Sequence, residues 1–298
     1  MRSSAEYAKT VGLRDQSPIV MSGPCPPDNR AWVPAPAVRL SVWLHAVLLT
    51  ALAMAPTQWP WLLGALVFNH VLLGVFGMWP RSTLLGPNLS RLPESCRRQA
   101  VVALTFDDGP DPEITPRVLD LLEQHHAKAS FFCIGTHAAA YPHLVKEIIR
   151  RGHSVENHSD NHALGFALYS VAALRRNVQR CQATLSEISG TRPRFFRAPL
   201  GLRSPLLDPV VAAEPLCYVS WTRRGYDRVS RSPEKVLHRL TRGLAAGDIV
   251  LLHDTGAWRT TCGTPVVLDV LPRLLEILTT AGLRAVSLPL ALPDHHMR

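Results

Sequence analysis

The chain carries little charge for its length. Of 298 residues only 18% are Asp, Glu, Lys or Arg, against 47% hydrophobic, where about 25% charge is usual in a soluble domain. That balance excludes a disordered chain, a collagen and a coiled coil. None of its six cysteines (Cys25, Cys96, Cys133, Cys181, Cys217, Cys262) forms a CxxC pair, which removes zinc ribbons and disulfide frameworks. Cys133 and Cys217 stand in apolar runs and read as small buried hydrophobes. Cysteines so scattered suit a reducing compartment better than an oxidising one. A Lys/Arg block with interleaved aromatics is also missing. The net charge of +9 divides into nine Lys/Arg against four Asp/Glu over residues 1–100, and 23 against 19 over 101–298. No nucleic-acid partner is implied by so dispersed an excess.

Charge is wholly absent from Leu40 to Trp79. Residues 1–39, with six prolines between Pro18 and Pro36, read as a flexible head, and no apolar stretch near the start marks a signal peptide. Residues 40–80 read as a two-helix membrane hairpin. The run Trp59–Trp79 has 21 residues, enough to cross about 30 Å of hydrocarbon, whereas Leu40–Ala55 is short. Pro56–Trp61 has the turn formers and tryptophans of an interfacial bend. The competing reading is a pair of helices packed on the following domain. In a hairpin, Asn69 and His70 are expected to bond across to the first helix. Arg30 and Arg39 precede the runs, Arg81, Arg91, Arg97 and Arg98 follow them, and the bend is uncharged. The positive-inside bias then puts both ends, and the following domain, on the cytoplasmic side of a bacterial inner membrane. Residues 81–100 form a basic linker, 101–290 the main domain and 291–298 a tail.

From Val101 short apolar strands alternate with helical patterns. Strands are expected at Val101–Phe106, Ala129–Ile134, Val155–Asn157, Arg194–Phe196, Leu216–Ser220, Ile249–Leu252 and Ala285–Leu288. Helices are expected at Thr115–His125, Ala138–Arg151, Ser170–Ser189, Pro205–Ala213, Pro233–Gly243 and Pro265–Ala281. Repeated βα units argue for a parallel α/β domain, doubly wound or closed into a barrel. In such a domain the carboxyl ends of the strands converge on one face. Four strands end there in polar residues: Asp107-Asp108-Gly109-Pro110, His158-Ser159-Asp160-Asn161-His162, Arg197-Ala198-Pro199 and His253-Asp254. Neighbouring carboxylates need a cation or a shared proton between them. His158 and His162, at i and i+4, can offer two imidazoles to one metal if their segment is helical. With an acidic loop on a neighbouring strand they make a two-His, one-carboxylate site.

This pattern resembles the polysaccharide deacetylase family, carbohydrate esterase family 4. Thr105-Phe106-Asp107-Asp108-Gly109-Pro110 is similar to its first motif, His158-Ser159-x-x-His162 to the second, and Arg197-Ala198-Pro199 to the third, with Leu200 where an aromatic is usual. Asp227, within Trp221–Asp227, is the best match to the fourth motif, although Arg228 follows where Trp is common. Leu251-Leu252-His253 matches the fifth. The resemblance covers about Val101–Leu288 and implies a distorted (β/α) barrel. It implies that Asp108, His158 and His162 bind one divalent metal ion, zinc first and cobalt, nickel or manganese as alternatives. Asp107 is then the general base, His253 the acid, Arg197 the partner that aims Asp107, and Asp227 the residue orienting His253 or Arg197. Pro199, Leu200, Trp221 and Leu251 would line the substrate groove, with the Leu200 backbone N–H at the oxyanion.

The activity so implied is metal-dependent hydrolysis of an acetyl or other small acyl group from an amino sugar in a poly-, oligo- or lipid-linked saccharide. The alternatives are a metal-dependent amidase or esterase on a non-sugar substrate and a non-catalytic glycan-binding envelope module. Asp254-Thr255-Gly256 has the triplet of aspartic proteases, but an α/β chain lacks their symmetric all-β setting. Asp111 and Glu113 read as solvated, Trp221 as core or groove, and Arg223-Arg224 as a solvated charge pair rather than a contact to phosphate or acidic sugar. His125, His126, His295 and His296 read as surface or terminal residues.

Overall fold

The computed structural model describes residues 32–256 and 258–293; His295 and His296, and residues 1–31 of the expected head, lie outside them. Helix α1 (Pro36–Met54) and helix α2 (Trp59–Met78) come first, joined by a tight turn at Pro56–Gln58. A short helix α3 (Glu94–Arg98) leads into strand β1 (Val101–Asp107). The alternation then runs α4 (Ile114–Gln124), β2 (Ser130–Cys133), α5 (Gly135–Ala140), α6 (Pro142–Arg150), β3 (Ser154–Asn157), α7 (Val171–Ser189) and β4 (Phe195–Phe196). It continues through α8 (Asp208–Ala213), β5 (Cys217–Tyr218), β6 (Arg223–Arg224), α9 (Pro233–Thr241), β7 (Ile249–His253), α10 (Val266–Thr280), β8 (Arg284–Val286) and α11 (Leu288–Ala291).

The eight strands form one curled, half-closed barrel in the order β5-β4-β3-β2-β1-β7-β6, with β8 paired to β1. Every pairing is parallel, so all carboxyl ends open on one face. β1 is central and buried along its whole length, as expected of a continuous apolar run with helices outside it. Val102, Leu104 and Phe106 face the core with the buried stripes of α4 and α10. Helix α7 shows local sequence control at both ends. The Ser170 side chain accepts from the Ala173 N–H, and Gly190 closes the helix at φ 70°, a conformation that glycine adopts without strain.

Three elements differ from the sequence expectation. The single helix over 138–151 is two, α5 and α6, because Pro142 lacks an N–H and disfavours a helical Tyr141 before it. Arg223–Arg224 is a strand rather than a solvated pair. Helix α1 starts at Pro36, inside the expected head, using proline where its missing N–H costs nothing.

The two N-terminal helices are long and apolar enough to cross a membrane. They do not pack on the barrel as core helices: Trp43 is 72% exposed and Trp61 79%. Asn69 donates to the Ser41 hydroxyl across the pair at 2.8 Å. His70 does not cross as expected; its Nδ1 bonds the Leu66 carbonyl in its own helix at 2.9 Å, and its ring meets His45 edge-on at 5.4 Å. Among the described residues, the backbone bonds from the pair to the chain that follows lie at its base. The Arg203 N–H donates to the Gly77 carbonyl at 3.0 Å and the Ala37 N–H to Leu84 at 3.3 Å. A side chain at Gly77 would collide with the Arg203 carbonyl. Arg81 donates to the Thr222 carbonyl at 2.9 Å. Cys133 is a buried free thiol, but Cys217 is disulfide-bonded, which corrects its reading as a plain small hydrophobe.

Candidate active site

The strand ends build a pocket of about 290 Å³ lined by residues at the ends of β1, β3, β4, β5, β6 and β7. β1 ends at Asp107, and Asp108 takes φ 74°. That left-handed step, which Asp tolerates better than most residues, lets two adjacent carboxylates face one cavity. The buried side chain of Asp254 presses on Gly109 so closely that no Cβ would fit there. Asp254 accepts from the Thr115 hydroxyl at 2.6 Å, and burial pushes its carboxyl up to about 7. It braces the acidic loop from beneath and does not line the pocket.

His158 and His162 come together by a route the i, i+4 spacing did not predict. Their segment is a loop, not a helix, with Ser159 at φ 69° and His162 at φ 45°. The Ser159 hydroxyl accepts from the His162 N–H at 3.1 Å. The two Nε2 atoms lie 3.1 Å and 3.2 Å from Asp108 Oδ1, and the three residues offer ligand atoms within 4.8 Å of one another. His158 Nδ1 lies 2.8 Å from the Arg197 carbonyl. A carbonyl only accepts, so in the neutral ring the proton sits on Nδ1 and Nε2 presents a lone pair. Asp108 Oδ1 is buried with no hydrogen-bond partner. Asp108 Oδ1 and the lone pair of His158 Nε2 therefore converge beside His162 Nε2, and this donor set fits a divalent cation.

Asp107 stands beside this cluster with a different set of contacts. Arg197, fully buried, donates to Asp107 Oδ1 at 2.5 Å and to the Thr105 hydroxyl at 2.9 Å. Its guanidinium lies 4.1 Å over the Phe132 ring. Opposite, Asp227 accepts from both the backbone N–H of His253 at 2.8 Å and its Nδ1 at 2.9 Å. Asp227 thus orients His253, not Arg197.

Electrostatics separate the imidazoles. Burial works against the charged form of His253, but the Asp227 carboxylate outweighs it and raises the pKa. Burial of His158 is likewise offset by Asp107 and Asp108, and its pKa is raised. At His162 burial and the neighbouring His158 prevail and lower it. Burial pushes the Asp108 carboxyl up, yet the imidazole of His158 close by, with His253 and His162, holds it well below the carboxylate range.

Leu200, Trp221 and Leu251 line the pocket. Pro199 is buried behind the rim, which corrects its assignment as a groove residue; Gly201 takes the lining position. Trp221 serves both expected roles, since it is buried yet borders the cavity and packs on Gly201. Asp111 receives the backbone N–H groups of Glu113 and Ile114 at the start of α4, and Glu113 pairs with Arg259.

Sequence reasoning missed Leu164, Arg228 and Val229, which also line the pocket, as does Arg224, whose pair was expected to be solvated. Arg228 reaches back to form an ion pair with Asp108 Oδ2. The one available signal was the replacement of an aromatic by Arg228 after Asp227.

The pattern of the Polysaccharide deacetylase family matches residues 94–216. A peptidoglycan-N-acetylglucosamine deacetylase of Bacillus cereus is 32% identical over 191 residues, covering 64% of this chain and 68% of that protein. A chitooligosaccharide deacetylase of Bradyrhizobium is 34% identical over 153 residues, covering 51% and 70%. The crystal structure of a peptidoglycan N-acetylglucosamine deacetylase is similar with a TM-score of 0.62 at 29% identity, over 68% of this chain and 92% of that one. Likeness of this extent in both sequence and fold shows the descent: the chain belongs to the polysaccharide deacetylase family.

Proposed function

We propose that the protein hydrolyses the N-acetyl group of an amino sugar in a glycan, using one divalent metal ion held by Asp108, His158 and His162. The observation that carries this reading is the orphaned Asp108 Oδ1 facing two imidazole nitrogens beside two fully partnered acid–base pairs. Such an ion, zinc by its donor set, supplies polarisation of the acetamide carbonyl and a water of lowered pKa. The chain's own residues do the rest. Asp107, aimed by Arg197, takes a proton from the attacking water as its oxygen bonds to the carbonyl carbon. The Leu200 N–H stabilises charge on the carbonyl oxygen. His253, kept protonated by Asp227, gives its proton to the amine nitrogen as the carbon–nitrogen bond breaks. Acetate and a free amino sugar leave.

Acetate release from N-acetylated oligosaccharides, measured after chelation and after metal is restored, tests this. Activity that returns with metal in the parent but not in the His158→Ala variant supports the reading. Full activity after chelation overturns it.

We place the domain at a membrane through the hairpin of residues 40–80. The full chain should stay in membranes through alkaline carbonate washing; release by that wash overturns the anchor. The flanking arginines favour a cytoplasmic pocket. The Cys217 disulfide is the opposing feature, since such bonds persist on the oxidising side. Protease added to sealed spheroplasts separates the two orientations.

A further inference from the structure

A second, larger cleft of about 550 Å³ adjoins the catalytic pocket, and Val229 lines both. Three cations line it, Arg231, Lys235 and Arg239, with Tyr226 and two serines, and no carboxylate does. None of the three cations forms an ion pair among the described residues. Elsewhere on the surface Arg97, Arg150, Arg151, Arg259 and Arg273 sit on acids, while Arg117, Arg175, Arg176 and Arg180 are exposed and unpaired among the described residues, so what marks the cleft is the gathering of its three cations in one concavity. Instead, Arg231 lies 4.3 Å over the Trp258 ring and Arg239 lies 5.6 Å from the Tyr226 ring centre. Arg224, which lines the catalytic pocket, stands 4.9 Å from the same ring, with its Nε buried and without a hydrogen-bond partner. A run of unpaired cations thus leads from the catalytic pocket into the second cleft. Grouped like charges repel within a Debye length of about 8 Å, and a concave wall of one sign concentrates anions of the other.

We propose that this cleft is an anion subsite, so that the substrate is an acidic glycan whose carboxylate or phosphate lies against Arg231 and Lys235 while its acetamide enters the neighbouring pocket. The inference rests on the deacetylase reading and narrows its substrate class. Only three residue steps separate Arg228, at the catalytic pocket, from Arg231, so their backbones are at most about 11 Å apart. The recognised anion is therefore on the reacting sugar or close along the chain. Arginine stacked on an aromatic ring is already ordered, so less freedom is lost when it binds an oxyanion.

The test uses the full-length protein in non-ionic detergent and reads binding separately from turnover. Two probe pairs are titrated: a tetrasaccharide alternating glucuronate and N-acetylglucosamine against neutral tetra-N-acetylchitotetraose, and N-acetylglucosamine 1-phosphate against N-acetylglucosamine. The acidic member of at least one pair should bind about tenfold more tightly, and the pair that shows this identifies carboxylate or phosphate as the anion. The advantage should shrink at about 0.5 M salt and vanish in the Arg231→Gln/Lys235→Gln double variant, with neutral probes unaffected. The single Lys235→Gln variant, whose ammonium makes no hydrogen bond or ion pair, guards against misfolding of the double variant. Equal binding of acidic and neutral probes, or a preference that survives both substitutions, overturns the proposal. Acetate release distinguishes the two failures. If acidic probes bind preferentially but no probe loses acetate, the deacetylase reading fails and the subsite stands. If acetate is released without acidic preference, the subsite alone fails.

Discussion

The two walls of the catalytic pocket satisfy their charges in opposite ways. On the wall proposed for acid–base chemistry each carboxylate owns a dedicated partner, Asp107 with Arg197 and Asp227 with His253. On the wall proposed to hold the metal Asp108 shares Oδ1 between two imidazoles without a hydrogen bond to either, while Arg228 takes its other oxygen. A completed pair keeps its geometry through its own bonds. An incomplete one has buried a polar atom whose desolvation is uncompensated, at a cost of roughly 1–3 kcal/mol, until a cation fills it. The difference teaches that damage on one wall should empty the site, whereas damage on the other should leave it filled and idle.

The largest effect should come from the ligand wall. His158→Ala should lose tight metal binding, read by equilibrium dialysis, and turnover should fall to background. On the other wall Asp107→Asn should retain most of its metal and lose at least about 100-fold in kcat, because only proton abstraction is removed. Equal metal loss in both variants would show that the walls are not distinct. Asp227→Asn should act more mildly and through pH. The Asp227 carboxylate raises the pKa of His253, so neutralising it lowers that pKa and the acid form disappears sooner as pH rises. The alkaline limb of the kcat/KM profile should move to lower pH; an unmoved limb would detach His253 from the acid role.

The smallest effect concerns stability alone and uses a third buried imidazole as the control. His153 has no carboxylate beside it. Burial, with Lys128 and Arg151 nearby, lowers its pKa from 6.5 to about 4, the reverse of His158 and His253. Between those values the unfolded chain binds the extra proton, so this contribution is complete above pH 6.5 and is lost as pH falls toward 4. His153→Asn keeps an acceptor near the Ala129 N–H, which now bonds His153 Nδ1 at 3.2 Å. It should cost about 1 kcal/mol at neutral pH but flatten the acid loss relative to the parent in denaturant titrations. A parallel slope would mean that His153 titrates freely in the fold.

What could be read in the sequence was whatever depends on local pattern. Val101–Phe106 is apolar but for Thr105 and runs into Asp107 and a turn, so both its burial and the delivery of Asp107 to the open face followed directly. The residues of His158-Ser159-x-x-His162 were legible, but their geometry was not. A helix and a loop with two left-handed residues can bring the same pair of rings together, and spacing does not distinguish them. Arg224 and Arg228 were illegible for another reason. Where a long side chain ends depends on the path of the loop that carries it, and that path is set by tertiary contacts. Asp254 shows a third limit, since its triplet suggested chemistry while its burial under Gly109 makes it a brace.

The Gly77–Arg203 contact fixes more than the base of a hairpin. A flexible tether of n residues lets a domain roam over roughly 5–6 Å times the square root of n. Here the last turn of α2 is hydrogen-bonded to the segment that follows Leu200 and Gly201 at the pocket rim, so the tether has almost no slack. With its hairpin in a bilayer, the enzyme would work at one height and one tilt above the lipid. It could not sweep the surroundings for distant chains, and its supply of substrate would be governed by traffic along the membrane plane.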